Sequence, residues 1–234
     1  MTDIRYERHS GERTLARLEE ITDFYEEIHS EDADDESHEL FSRDTFITRT
    51  TDQARIAGFK LVTATLADAL VGFSFGYPLS PGKWWGECTP PPDEVLASSK
   101  LAVIELNVRK SCRRRGIGKK LLSELLAGRT EKFATLATET GSTANAMYLR
   151  WGWCKVGFFL TPPPMDALVI PLEEAAVNKS ANLAGAFCHL EGISDRPREF
   201  ARSDSQLIPS GQAADAAVPH DHALIVDAHA APVG

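Results

Sequence analysis

Cysteine is scarce and scattered: Cys88, Cys112, Cys154 and Cys188 include no CxxC spacing, so neither a zinc knuckle nor a redox dithiol organises the chain. Such thiols are read as reduced, the expectation for a cytoplasmic protein. No run of about 18 apolar residues occurs, and the first residues, MTDIRYERHSGERT, have no apolar core behind their charges. Membrane spanning and secretion by a signal peptide are therefore not expected. Positive charge is in deficit, 25 Lys+Arg against 34 Asp+Glu for a net −9 and a pI near 5.3, which argues against binding nucleic acid through the general surface. Internal repeats are missing too. His220, His222 and His229 lack ligand spacing, so no metal is expected. What is present is an ordinary globular mixture, 43% hydrophobic and 25% charged in 234 residues, enough for one good-sized domain with material to spare.

A helix is predicted over residues 13–29, where Leu15, Leu18, Ile21, Phe24, Tyr25 and Ile28 recur every three or four positions. The acidic stretch 31–39 reads as a solvated loop, and a shorter helix follows around 41–48. Residues 58–66 and 69–79 alternate as strands about a turn near Asp68, an antiparallel hairpin. Between 80 and 100, Pro81, Gly82 and the triple proline Pro90, Pro91, Pro92 make regular structure unexpected, with Trp84 and Trp85 as anchors. Residues 101–108 form a nearly continuous apolar strand, followed by RKSCRRRGIGKK and a helix with Ile117, Leu121, Leu122, Leu125 and Leu126 on one side. A strand at 134–140, a helix at 143–151 and strands at 154–160 and 166–172 complete the order α, α, β, β, β, α, β, α, β, β. Beyond 172 the composition turns to Ala, Ser, Asp, Gly, Pro and His without a period. The predicted division is therefore a domain over 1–172 and a flexible low-complexity tail over 173–234.

The segment Arg113, Arg114, Arg115, Gly116, Ile117, Gly118, Lys119 lies between a buried strand and a helix start. Glycines permit close backbone approach, the first N–H groups of a helix are unsatisfied, and the helix dipole favours an anion. A diphosphate is the fitting guest, although a solvated basic turn has the same composition. Two other phosphate motifs fail, because Lys120 occupies the Ser/Thr place of a Walker loop and Leu121 the third glycine of GxGxxG.

This stretch, ELNVRKSCRRRGIGKKLLSELL, resembles the signature of the GNAT superfamily of acyl-CoA-dependent N-acyltransferases. So does YLRWGW from Tyr148, with Lys155, Val156 and Gly157 after it. The resemblance covers about residues 13–172, the N-terminal third in element order alone. It implies an α/β (α+β) fold, a mixed, mostly antiparallel central sheet with flanking helices and a splayed central strand pair. It further implies that backbone N–H groups from Arg114 to Lys119 hold the pyrophosphate of acetyl-CoA, and that the backbone of Leu106 and Val108 pairs with its pantetheine arm. The family's asparagine six residues before the tyrosine is replaced here by Ser142, with Asn145 shifted by three, so these two are assigned a minor cofactor contact.

An alkylamine is mostly protonated at neutral pH and attacks a thioester only when neutral, so a base is required. The resemblance points to Glu105 as that base and to Tyr148 as the acid that reprotonates the leaving thiolate, with the Val108 N–H at the oxyanion. Glu105 as a solvent-facing charge and Tyr148 as a core tyrosine are the competing readings. For the acceptor, Tyr25, Glu26, Tyr77, Trp84 and Trp85 are the candidates, carboxylates beside aromatics suiting a cationic amine. The function so read is N-acetyl transfer from acetyl-CoA to a primary amine of a small molecule or peptide, and a homodimer is compatible with it. A catalytically silent acyl-CoA-binding regulatory module, or an acyltransferase using a carrier-protein or aminoacyl-tRNA donor, are the alternatives.

Overall fold

The computed structural model describes residues 3–30, 42–160 and 162–172. The predicted acidic loop at 31–39 and the predicted tail at 173–234 lie outside the described residues. A seven-stranded sheet in the order β1-β2-β3-β4-β5-β7-β6 forms the frame. Its strands are β1 (Ile4–His9), β2 (Lys60–Leu66), β3 (Ala69–Leu79), β4 (Lys100–Val108), β5 (Phe133–Glu139), β6 (Cys154–Phe158) and β7 (Met165–Pro171). All neighbours are antiparallel except β4 and β5. The helices are α1 (Gly11–Leu15), α2 (Leu18–Ser30), α3 (Arg43–Ala54), α4 (Asp93–Ala97), α5 (Ile117–Leu126) and α6 (Thr143–Arg150).

Both layers follow from amphipathic patterning. On α2, Ile21, Phe24, Tyr25 and Ile28 are buried against one face of the sheet together with Phe46 of α3 and Phe73 and Phe75 of β3. On α5, Ile117, Leu121, Leu122 and Leu125 are buried on the opposite face with Leu101, Val103, Leu106 and Tyr148. Each such aliphatic side chain contributes on the order of 2 kcal/mol by leaving water.

Three sequence expectations need correction. The first strand, IRYERH, was not expected: its charged residues sit at the sheet's edge, paired with β2 alone, where alternation buries little and the pattern reads as polar. The single helix predicted at 13–29 is two helices. Ser10 caps α1, and the chain turns at Ala16 and Arg17 before α2 begins, which lets Gly11 abut α3 so closely that a Cβ there would lie 1.8 Å from the Ala54 carbonyl. The proline-rich stretch holds the short helix α4 after Pro92, an arrangement that suits proline's fixed φ at a helix start. The predicted hairpin is as expected, its turn residues Ala67 and Asp68 at φ 49° and 61° giving the left-handed backbone of a tight two-residue turn.

Candidate active site

β4 and β5 separate. Their parallel pairing covers Lys100 to Ala102 against Phe133 to Thr135 and then stops, while β4 continues on β3 and β5 continues on β7. A gap therefore opens beside the second half of β4. The peptide groups that face it can be identified from the ladder. In an antiparallel pair, alternate residues bond the same neighbour. The Arg109 N–H bonds the Val71 carbonyl at 2.9 Å, and Val108 stands opposite Gly72 and Asn107 opposite Phe73. The peptide groups of Leu106 and Val108 consequently point away from β3, into the gap. The Val108 carbonyl there accepts from Arg113 Nε at 3.0 Å.

The basic turn lies beyond the same strand end. Lys110 to Cys112 form a single 3-10 turn, Arg114 has φ 62°, and Gly116 has φ 79° as the cap of α5, with no side chain capping the helix. A Cβ on Gly116 would meet nothing within 4 Å, and one on Gly118 would be in ordinary contact with Val108, Trp151 and Leu106. The first turn of α5 thus presents bare backbone N–H groups and glycine surface, with Arg113, Arg114, Arg115 and Lys119 around it, which is the donor set that a pyrophosphate requires.

The predicted chemical residues sit on two faces. Glu105 is buried, 1% exposed, on the α2–α3 face, where its Oε1 accepts from Arg49 Nη2 at 2.6 Å and its Oε2 from Asn107 Nδ2 at 3.0 Å. Its own carbonyl accepts from the Ser74 hydroxyl at 2.7 Å. Tyr148 is buried on the other face, edge-on to Trp151 and Trp153 at 5.7 and 5.8 Å between ring centres. Ser142 caps α6, its Oγ accepting from Asn145 N at 3.0 Å. The Asn145 amide donates to Asp166 Oδ2 at 3.0 Å, so Asn145 also fastens α6 to β7.

Tyr25, Glu26, Tyr77, Trp84 and Trp85 all belong to the Glu105 side. Tyr25 is core, stacked on Phe46 at 4.0 Å. Tyr77 and Trp85 are buried in the same cluster, and the Trp85 indole donates to Thr135 at 2.9 Å. Trp84 is half-buried and donates to the Thr89 carbonyl at 3.1 Å. The acidity of α2 is already met by arginine. Arg43 pairs with Glu19, Asp23 and Glu26, Arg17 with Glu20, and Arg109 with Glu27. Composition overstated how much free negative charge this face offers a cation.

Arg49, Asn107 and Arg109 were missed by sequence reasoning. Asn107 and Arg109 follow Glu105 at the two-residue strand period and share its face, a signal present in the sequence. Arg49 belongs to a helix remote in sequence, and nothing local marks it.

A sequence profile of the acetyltransferase (GNAT) family matches residues 18–153. No curated protein sequence matches the chain. Among solved structures, it is similar to an aminoglycoside 6'-acetyltransferase type Ii, with 16% identity over 72% of this chain and 97% of that one and a TM-score of 0.51. It is also similar to a protein from Pyrococcus horikoshii OT3, with 22% identity over 72% of this chain and 98% of that one and a TM-score of 0.50. At such identities these likenesses establish the fold.

Proposed function

The chain belongs to the GNAT acetyltransferase family, and on that premise we propose that it transfers the acetyl group of acetyl-CoA to a primary amine of a small molecule or peptide. The observation that carries this reading is the alignment of three features on one strand. The β4–β5 gap, the peptide groups of Leu106 and Val108 that point away from β3, and the start of α5 with no side-chain cap succeed one another along β4 and its continuation. Acetyl-CoA, when bound, supplies the acyl group already activated as a thioester.

The residues have these roles in the proposal. Backbone N–H groups from Arg114 to Lys119, with the side chains of Arg113, Arg114, Arg115 and Lys119, hold the pyrophosphate; Gly116, Ile117 and Gly118 keep the approach open. Leu106 and Val108 bind the pantetheine amides as an added strand, and the Val108 N–H steadies the carbonyl oxygen as charge develops on it. Glu105 takes a proton from the acceptor ammonium, so that the neutral amine attacks the thioester carbon, and as the carbon–sulfur bond breaks Tyr148 gives a proton to the leaving sulfur. Ser142 and Asn145 shape the start of α6 beside the cofactor. The acceptor approaches from the α2–α3 face past Glu26 and Trp84, while Tyr25, Tyr77 and Trp85 are core and support that face. Because the α2 carboxylates are ion-paired, a compact amine suits this face better than a polycation.

Thermal unfolding with acetyl-CoA, CoA and ATP tests the reading. A ligand at about 100 times its dissociation constant adds about 2.7 kcal/mol, a rise of several degrees at this size. Stabilisation by acetyl-CoA and CoA but not by ATP is expected. A folded sample indifferent to both CoA compounds would end the proposal.

A further inference from the structure

Burying a carboxylate is costly unless a cation and hydrogen bonds meet it. Glu105, with 2% of its side chain exposed, has both. Arg49 reaches it from α3 with a side chain only 15% exposed, its guanidinium also lying 5.8 Å from the centre of the Phe46 ring. Asn107 supplies the second bond, and the direction of its amide is forced, since an ionised carboxylate accepts only and the nitrogen must face it.

Among the described residues, α2 also brings Glu26 to this side, paired with Arg43, and β3 brings the buried Tyr77. Glu27 on α2 is paired with Arg109 at 2.9 Å, and Arg109 in turn lies over the Phe24 ring. Tyr25 and His29 on α2 are buried in ring contact at 4.2 Å. β3 presents Phe73 and Phe75 opposite Asn107 and Glu105, and neither carries charge.

Resting on the reading of Glu105 as the base, we propose that Arg49 is a positioning residue that fixes this carboxylate beside the β4–β5 gap in its ionised form and thereby sets the acid limb of the pH–rate profile. Arg49 does not touch the reacting atoms. A guanidinium in contact favours the charged carboxylate, so the base stays able to take a proton at pH values where a buried, unpaired glutamate would already hold one. Asn107 fixes the second oxygen and leaves the rotation of the carboxylate no freedom.

The test is an infrared titration of the full-length protein, with the Glu105 carboxyl band assigned by subtracting the spectrum of Glu105→Gln. In Arg49→Met the protonated band is expected to appear about one pH unit or more above its wild-type position. Arg49→Lys keeps a charge and gives a smaller upward shift, and it carries the test if the methionine variant does not fold. A band that titrates at the wild-type pH in the folded variants overturns the proposal. Thiol release from acetyl-CoA with n-propylamine and with kanamycin as acceptors separates this outcome from failure of the underlying reading. If Glu105→Gln retains wild-type release, Glu105 is not the base, whatever the infrared titration shows.

Discussion

Glu105 and Tyr148 stand on opposite faces of one sheet. The carboxylate turns to α3 through Arg49, whereas the tyrosine is buried in the cluster that holds Leu106, Leu136 and Leu168 on the α5 side. A closed sheet would keep them apart. Pairing of β4 with β5 stops after Ala102, and in the proposed function a thioester lies in the gap so formed, with the base on one side and the acid on the other.

This arrangement predicts separable losses. Glu105→Gln and Tyr148→Phe should each reduce turnover by about 10²-fold or more, the usual scale of a removed proton-transfer group. Acetyl-CoA affinity should stay within a few-fold of wild type. Steady-state thiol release and ligand-induced thermal shifts, measured on the same samples, check both halves. Full turnover in Tyr148→Phe would assign that residue to packing alone.

Gly118→Ala should separate stability from cofactor binding. The added Cβ meets Val108, Trp151 and Leu106 at ordinary contact distances, and alanine is favoured over glycine inside a helix by about 0.5–1 kcal/mol. The ligand-free protein should therefore melt no lower than wild type. If the pyrophosphate approaches the backbone here, CoA affinity should fall by about 10-fold, a loss of roughly 1.4 kcal/mol. Titration calorimetry with CoA reads the second quantity directly.

Lys100 is buried at the start of β4, with Nζ donating to the carbonyls of Val95, Leu96 and Ser98 at 3.1, 3.0 and 2.7 Å. It closes the end of α4 and pins the loop before β4, and burial pulls the ammonium below its ordinary pKa. Lys100→Met keeps the stem but strands those carbonyls, which should cost about 1–3 kcal/mol by urea unfolding. CoA affinity should not change, because the phosphate turn is at the other end of β4.

His9 supplies a pH dependence of stability. Its ring is buried, with Nε2 at 3.0 Å from Arg17 Nη1 and 2.9 Å from Thr63 Oγ1. Burial first, and Arg17 second, hold the imidazole below its ordinary value of 6.5. Across the interval below that value the unfolded chain binds the proton and the folded protein does not. His9's contribution to stability is thus complete above about pH 6.5 and declines as the pH falls toward the folded value. Urea midpoints measured from about pH 7.5 to about pH 5.5 should drop, and His9→Gln should lessen that slope.

Much of the fold was legible because each element carries its own period. The hairpin of β2 and β3, the apolar run of β4 and the leucine face of α5 repeat at two or 3.6 residues; the structure has the three strands within two residues of their predicted bounds and α5 directly after the glycine turn. β1 was not legible: an edge strand needs little apolar surface, so IRYERH shows no clear alternation. The break between α1 and α2 was hidden as well, since the apolar spacing runs on across Ala16 and Arg17 while the docking of Gly11 against Ala54 bends the path.

By itself the sequence determined the local chemistry: a basic glycine turn at a helix start, a glutamate on a buried strand, a tyrosine on the helix that follows β5. Such features depend on neighbours along the chain, and spacing records them. Only the tertiary structure decided where β4 leaves β5, which peptide groups face the opening, and that Arg49, 56 positions from Glu105 in the chain, meets its carboxylate. Strand pairing and a buried ion pair are contacts between distant segments, set by the packing of the whole sheet against its helices.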